Sequence, residues 1–336
     1  MTGEDFSSQK HRPVRHQGRT WPVIGRQRLG GRTYLILEQL ACPPRCRYRA
    51  FDTRVREFRM LMRLPATAVS RRQLSVLRRA SAANDSVPKI VDHVRIGDEQ
   101  WLVLTWVYGI DVADYLRRVR AGETPRPSAT EVIRLLRGLA HGLRHLHNDC
   151  SLIHGDLQPA NLILQSRPSR LITVDFGSAW LRESAAESDP GDGISAIYAA
   201  PELQVGPAQP DFRSDQFSAT VIAYELMTLQ IPYAGLGGKA GRPAFTDSVM
   251  QSFISPSKLI TGKSRLPKSV TSKLNDCMYR ALQLQPNDRY ATQAAWLGAL
   301  ERVYADINNT GCSEPQTDWL WTIADWCRAW LSRRKE

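Results

Sequence analysis

The sequence predicts an α+β fold in two unequal parts, a small strand-rich unit followed by a larger helical one. The early segments read as short strands, one with apolar residues at period two, and the texture turns helical from about residue 110. No internal repeat links the two parts. A chain of 336 residues with 42% apolar content is long enough for one large or two ordinary domains with a real core.

Residues 1–32 are polar and basic, carrying Lys10, Arg12, Arg15, Arg19, Arg26, Arg28 and Arg32 within a net charge of +12. They are expected to form a partly disordered leader suited to an acidic partner. No helix-turn-helix, zinc-finger or RNA-binding signature accompanies them, so specific nucleic-acid binding is not expected. The start of the chain shows no apolar signal segment, and no apolar run approaches the roughly 18 residues needed to cross a bilayer. The six cysteines are scattered, which argues for a reducing compartment and a cytoplasmic location.

Residues 33–108 form the strand-rich unit. "RTYLILEQL" (32–40), "CRYRAFD" (46–52) and "EFRMLMRL" (57–64) read as strands, the last with Phe58, Met60, Met62 and Leu64 on one face. "SRRQLSVLRRA" (70–80) reads as a helix begun by Ser70. "KIVDHVRI" and "EQWLVLTWV" read as another strand pair. "RLGGR" (28–32) reads as a turn before the first strand.

Residues 109–307 form the helical unit. Ser128 and Glu131 make a capping-box signature before a helix with Val132, Leu135, Leu139, Leu143 and Leu146 on one side. "LIL" (162–164) and "LITV" (171–174) are short strands. "SDQFSATVIAYELMT" (214–228) is an apolar, buried helix, and "ATQAAWLGALERVYADI" (291–307) is another helix. Residues 308–336 form an amphipathic tail with Trp319, Leu320, Ile323, Trp326, Cys327, Trp330 and Leu331 on one helical face. Such a face suits a membrane surface or a partner groove. The expectation preferred here is a helix folded back on the helical unit.

The chemistry sits in "LIHGDLQPANLIL" (152–164) and the "DFG" that starts at Asp175. Asp156 lies in a loop between a helix and a strand, Asn161 follows five residues on, and Asp175 ends the strand "LITV". A carboxylate and an amide can hold Mg²⁺ beside a phosphate, while another carboxylate orients an attacking hydroxyl. "HGDLQPAN", "DFG", "AAPE" (199–202) and the downstream "SDQFS" together resemble the protein kinase superfamily, in a bacterial Ser/Thr-like form.

The resemblance implies a bilobal protein-kinase-like fold, ATP and Mg²⁺ as cofactors, and a protein as substrate or binding partner. It implies Asp156 as catalytic base, with Asn161 and Asp175 on Mg²⁺. Glu202 would pair with Arg289, and Asp215 would anchor the catalytic loop. Ser195 stands where the family usually has a threonine that contacts the catalytic aspartate. Gln158 stands where a lysine usually reaches the γ-phosphate, so stabilisation there is weaker. Gly155 replaces the arginine that answers a phosphorylated activation segment, which implies no such switch. Small-molecule kinases of the aminoglycoside type share the "HGDLxPxN" loop. The 22 residues between "DFG" and "APE" and the central helix favour the protein kinase branch.

The first unit departs from the pattern. The loop aligned with the family's glycine-rich turn reads Ala41-Cys42-Pro43-Pro44-Arg45-Cys46, with no glycine and two prolines that lack an N–H. The lysine position falls on Met62, and its glutamate partner on Gln73. No lysine lies between Lys10 and Lys89; Arg45 and Arg63 are the candidates to compensate. The adenine-binding hinge is expected over "LVLTWVYG" (102–109), with Leu104 as gatekeeper and Thr105 to Val107 offering backbone hydrogen bonds. Two functions therefore remain open: a slow, atypical Ser/Thr protein kinase, or a pseudokinase acting as a binding module.

Overall fold

The computed structural model describes residues 12–41, 46–83, 85–166, 169–176, 179–181, 195–204, 210–245, 252–260 and 266–309. The proline-containing loop 42–45 and the Trp-rich tail lie outside these residues, as does the side chain of Gln73. The chain divides into two compact units, residues 1–107 and 108–336.

The first unit starts earlier than expected. Strands β1 (Val14–His16) and β2 (Arg19–Trp21) form an antiparallel hairpin. Then come β3 (Gly25–Leu29), β4 (Arg32–Ala41), β5 (Cys46–Asp52), β6 (Glu57–Pro65), helix α1 (Ala68–Ala83), β7 (Ile90–Ile96) and β8 (Glu99–Thr105). The last six strands form one antiparallel sheet in the order β3-β4-β5-β6-β8-β7. The disordered-leader expectation is thus corrected for residues 12–32. Their arginines alternate with Val14, Trp21 and Leu29, which are drawn onto the sheet while the charges remain toward water. "RLGGR" is the turn that joins β3 to β4 rather than a turn ahead of the sheet. Gly30 and Gly31 take φ of +51° and +77°, a region that residues with a Cβ seldom enter.

The sheet buries both faces. One carries Tyr34, Ile36, Cys46, Tyr48, Ala50, Leu61, Trp101 and Val103. The other carries Leu37, Phe51 and Phe58, covered by Val14 and Trp21 of the hairpin and by Trp106. The single apolar face read for β6 is corrected accordingly. Leu61 is buried on the face opposite Phe58, and Met60 and Met62 are only half-buried. In a sheet covered on both sides, period two no longer separates core from solvent. Helix α1 begins at Ala68, so Ser70 lies inside it rather than capping it.

The second unit opens with β9 (Ile110–Asp111), α2 (Val112–Arg120) and α3 (Ala129–Asp149). The Ser128 and Glu131 capping box closes as expected. Strands β10 (Leu152–Ile153), β11 (Leu162–Ser166), β12 (Ser169–Thr173) and β13 (Trp180–Leu181) follow. They form two small sheets, β12-β11-β9 and β10-β13. Among the described residues the helices α4 (Phe212–Thr228), α5 (Pro256–Leu259), α6 (Lys268–Ala281) and α7 (Gln293–Asn309) follow. Helix α4 is buried from Ser214 to Thr228 and forms the axis on which α3 and α6 pack. An all-round buried helix has weak amphipathicity, which is why its sequence reads as one apolar run.

Candidate active site

Helix α4 sets the position of the catalytic loop. Asp215 is 1% exposed, and its Oδ2 accepts from the His154 N–H at 2.8 Å and meets His147 Nε2 at 2.7 Å. Its Oδ1 accepts from the Gly155 N–H at 2.9 Å. Burial alone would raise the Asp215 pKa, but the hydrogen bond and charge of His147, with His154 and the Gly155 amide, hold it below its ordinary value. The anchoring role expected of Asp215 is therefore visible as three bonds. Gly155 has φ +73°, so the residue beside Asp156 sits where glycine is least strained.

Asp156 follows, half-buried. Gln158 Nε2 donates to both of its carboxylate oxygens, at 3.2 and 3.0 Å. Asn161 Nδ2 donates to the Asp156 carbonyl at 2.9 Å and to Oδ2 at 3.0 Å. Burial raises the Asp156 pKa and nearby Asp175 adds to this; His154, Gln158 and the Ser195 N–H pull the other way, and the net shift is upward. Ser195 is thus beside Asp156, and its backbone N–H makes the contact.

Asp175 is brought in by strand pairing. β11 and β12 run antiparallel, and the Val174 N–H donates to the Asn161 carbonyl at 2.9 Å, so the residue after Val174 emerges next to Asn161. Asp175 itself takes φ +62°, a conformation uncommon for a residue with a Cβ and found disproportionately at functional sites. Phe176 is buried against His154, with ring centroids 5.0 Å apart. Asp156, Asn161 and Asp175 therefore gather in one place. Asn161 directs its N–H₂ at Asp156, which turns its carbonyl oxygen the other way. An amide oxygen and a carboxylate are donor types that fit Mg²⁺ rather than a softer metal.

Downstream, Glu202 and Arg289 form the expected pair. The guanidinium, 0% exposed on its side chain, reaches the two carboxylate oxygens at 2.7 and 2.8 Å. It also donates to the Gln283, Arg213 and Leu284 carbonyls and lies over Phe217. A further tie was not read from the sequence. The Tyr198 hydroxyl donates to buried Glu225 at 2.8 Å, and Glu225 also pairs with Arg120 at 2.5 Å. Tyr198 thereby fastens the end of the activation segment to α4.

In the first unit, Leu104 is buried in β8 opposite Met60 of β6, and Met62 lies opposite Leu102. By this register Met62 and Leu104 share a sheet face. The Thr105 N–H donates to the Lys89 carbonyl and its hydroxyl accepts from the Lys89 N–H, both at 2.9 Å. Only its carbonyl therefore remains among the hinge groups expected of Thr105. Val107 is half-buried at the end of the unit. Arg63 lies away from Met62. It faces the opposite side with Leu61, donates to Cys46 Sγ at 3.4 Å and pairs with Glu99 at 3.6 Å. Cys46 is buried in the sheet core.

A strand-rich unit, a helical unit, and a loop that presents Asp156, Asn161 and Asp175 from a buried aspartate together define a bilobal α+β protein. A family model described as "Protein kinase domain" matches residues 64–297, and the chain belongs to that family. It is 28% identical over 216 residues to serine/threonine-protein kinase PknF of Mycobacterium tuberculosis, covering 63% of this chain and 42% of that protein. It is 26% identical over 241 residues to probable serine/threonine-protein kinase CPE1738 of Clostridium perfringens, covering 70% of this chain and 32% of that protein. The chain thus spans less than half the length of these relatives. Among solved structures, a point mutant of the Mycobacterium tuberculosis PknI kinase domain superposes with TM-score 0.54 at 21% identity, covering 82% of this chain and 97% of that one, which shows the fold. Among the described residues no helix is long and apolar enough to cross a membrane.

Proposed function

We propose that this chain is an atypical Ser/Thr protein kinase that transfers the γ-phosphoryl group of ATP, with Mg²⁺, to a protein hydroxyl at a low rate. The observation that carries this reading is the Asp156 carboxylate, oriented by two amides and mounted on Asp215. Asp156 accepts the proton of the attacking hydroxyl. Gln158 and Asn161 hold both carboxylate oxygens, so the base is aimed before substrate arrives. Asn161 and Asp175 would hold the metal, whose chemistry is to screen phosphate charge. Gln158 brings no charge to the γ-phosphate, and Met62 brings none to the α and β phosphates. Loss of one well-placed transition-state donor lowers rates about 10²–10³-fold, which supports slow turnover.

The test is phosphate transfer from labelled ATP to the chain itself and to a generic protein substrate, for wild type and Asp156→Ala. Signal in the wild type that disappears in the variant is expected; equal signals remove the proposal. The pseudokinase reading is supported by one specific observation, the thioether of Met62 on the face that carries Leu104. Under that reading neither protein transfers phosphate, and the chain acts through partner binding.

A further inference from the structure

The first unit has lost its lysine, and the structure shows a cation of a different kind beside the same spot. In the β5–β6 ladder Arg47 pairs directly with Met62, and Met62 pairs with Leu102 of β8. Residues directly opposite in an antiparallel pair project on the same side, with Cβ atoms about 4.5–5.5 Å apart. One step along, Arg49 pairs with Met60, and Met60 with Leu104. Arg47, Met62, Met60 and the gatekeeper Leu104 therefore share one face of the sheet.

Register separates Arg47 from the other described basic residues. Arg49 lies on the same face one step along, opposite Met60 rather than Met62. Arg59 and Arg63 alternate with Met60 and Met62 and belong to the opposite face. Lys89 is bound to Asp85 and the Ser81 carbonyl.

We propose that Arg47 takes over the phosphate-gripping role of the missing lysine, reaching the α and β phosphates of a bound nucleoside triphosphate from the strand next to Met62. This inference rests on the kinase reading above, because it presumes a nucleotide on the Leu104 face. The chemistry suits it. A guanidinium is always charged and forks onto phosphate oxygens with two parallel bonds. Its long stem covers the offset of one strand, about 4.8 Å. The methionine at 62 also fits, since a lysine there would stand directly opposite Arg47, and like charges across a strand pair repel.

The experiment is a binding titration of the full chain with ATP and, separately, with adenosine, both with Mg²⁺. Arg47→Met is expected to weaken ATP binding about 10-fold or more, the scale of hydrogen bonds to a charged group, and to leave adenosine unchanged. The double variant Arg47→Met, Met62→Lys moves the charge back to the usual strand and is expected to recover most of the affinity. Arg63→Met is expected to bind ATP like the wild type. The proposal is overturned if Arg47→Met binds ATP normally, or if it loses adenosine equally. It is also overturned if Arg63→Met is as weak as Arg47→Met, or if the wild type binds ATP no more tightly than adenosine. Asp156→Asn separates the two claims. If it transfers phosphate like the wild type the kinase reading fails, whereas an Arg47 effect on ATP affinity is independent of turnover.

Discussion

The two units of this chain treat the same ancestry differently. In the helical unit the candidate site residues and the residues that hold them are both present: Asp156 with Gln158 and Asn161, Asp215 with the loop amides, Glu202 with Arg289. In the strand-rich unit six strands form one sheet, and the position read from the sequence as the phosphate-gripping one carries Met62. The family match begins at Leu64, just beyond Met62. A six-stranded sheet is specified by two buried faces and its ladders, which tolerate many apolar sequences. Phosphate contact depends on single charges at single positions. Fold and chemistry can therefore part company in the first unit. In the second they are harder to separate, because Asp215 both braces the loop and lies in the core.

The largest test of this contrast is Asp156→Ala, expected to lower phosphate transfer by about 10²-fold or more while the melting temperature stays near wild type. An unchanged rate would place the second unit beside the first, as scaffold without chemistry. Next, Arg289→Met leaves Glu202 without its buried partner and is expected to destabilise the chain by about 3–5 kcal/mol in denaturant unfolding. A loss below about 1 kcal/mol would mean that the activation segment is not fastened through this pair.

Asp215 gives a pH test of the same bracing. Its folded pKa lies below the ordinary 3.8, so the carboxylate contributes stability above that value and loses it as pH falls through the folded pKa. Asp215→Asn is expected to flatten the acid limb of the stability curve and to lower stability at neutral pH. A wild-type curve with no slope in that range would contradict the bracing.

In the first unit, Trp21→Ala removes a half-buried ring from Phe58 and Arg49 and is expected to reduce stability by about 2 kcal/mol without abolishing the fold. No loss would return residues 12–21 to the status of a leader. The smallest effect concerns Gln158. Asp156 must be ionised to act as base, and its pKa is already raised, so activity should fall off toward acid at a higher pH than an ordinary aspartate would require. Gln158→Leu removes a bond that favours the ionised form, and the acid limb of kcat/KM should move further up. A limb that does not move would show that Asn161 and the Ser195 amide suffice.

Much of this site was legible in the sequence. Asp156, Asn161 and Asp175 occur in short segments whose order and spacing leave little freedom, and the Glu202 and Arg289 pair follows from the same pattern. The hairpin of residues 14–21 was not legible. Its arginines suggest a solvated arm, and only the aromatic faces of Phe51 and Phe58 give Val14, His16 and Trp21 somewhere to pack. The contact of Tyr198 with Glu225 was also hidden, since residues 27 positions apart carry no pattern that pairs a phenol with a carboxylate.

The sequence by itself determined which residue types stand in the 152–164 loop and that methionine stands at position 62, because motif spacing is a property of the chain. Only the tertiary structure decided which side chains share a sheet face with Met62. Arg45, Arg47, Arg49 and Arg63 are alike in composition and close in sequence. Sheet register alone assigns each described one a face, and a shift of one residue would exchange them.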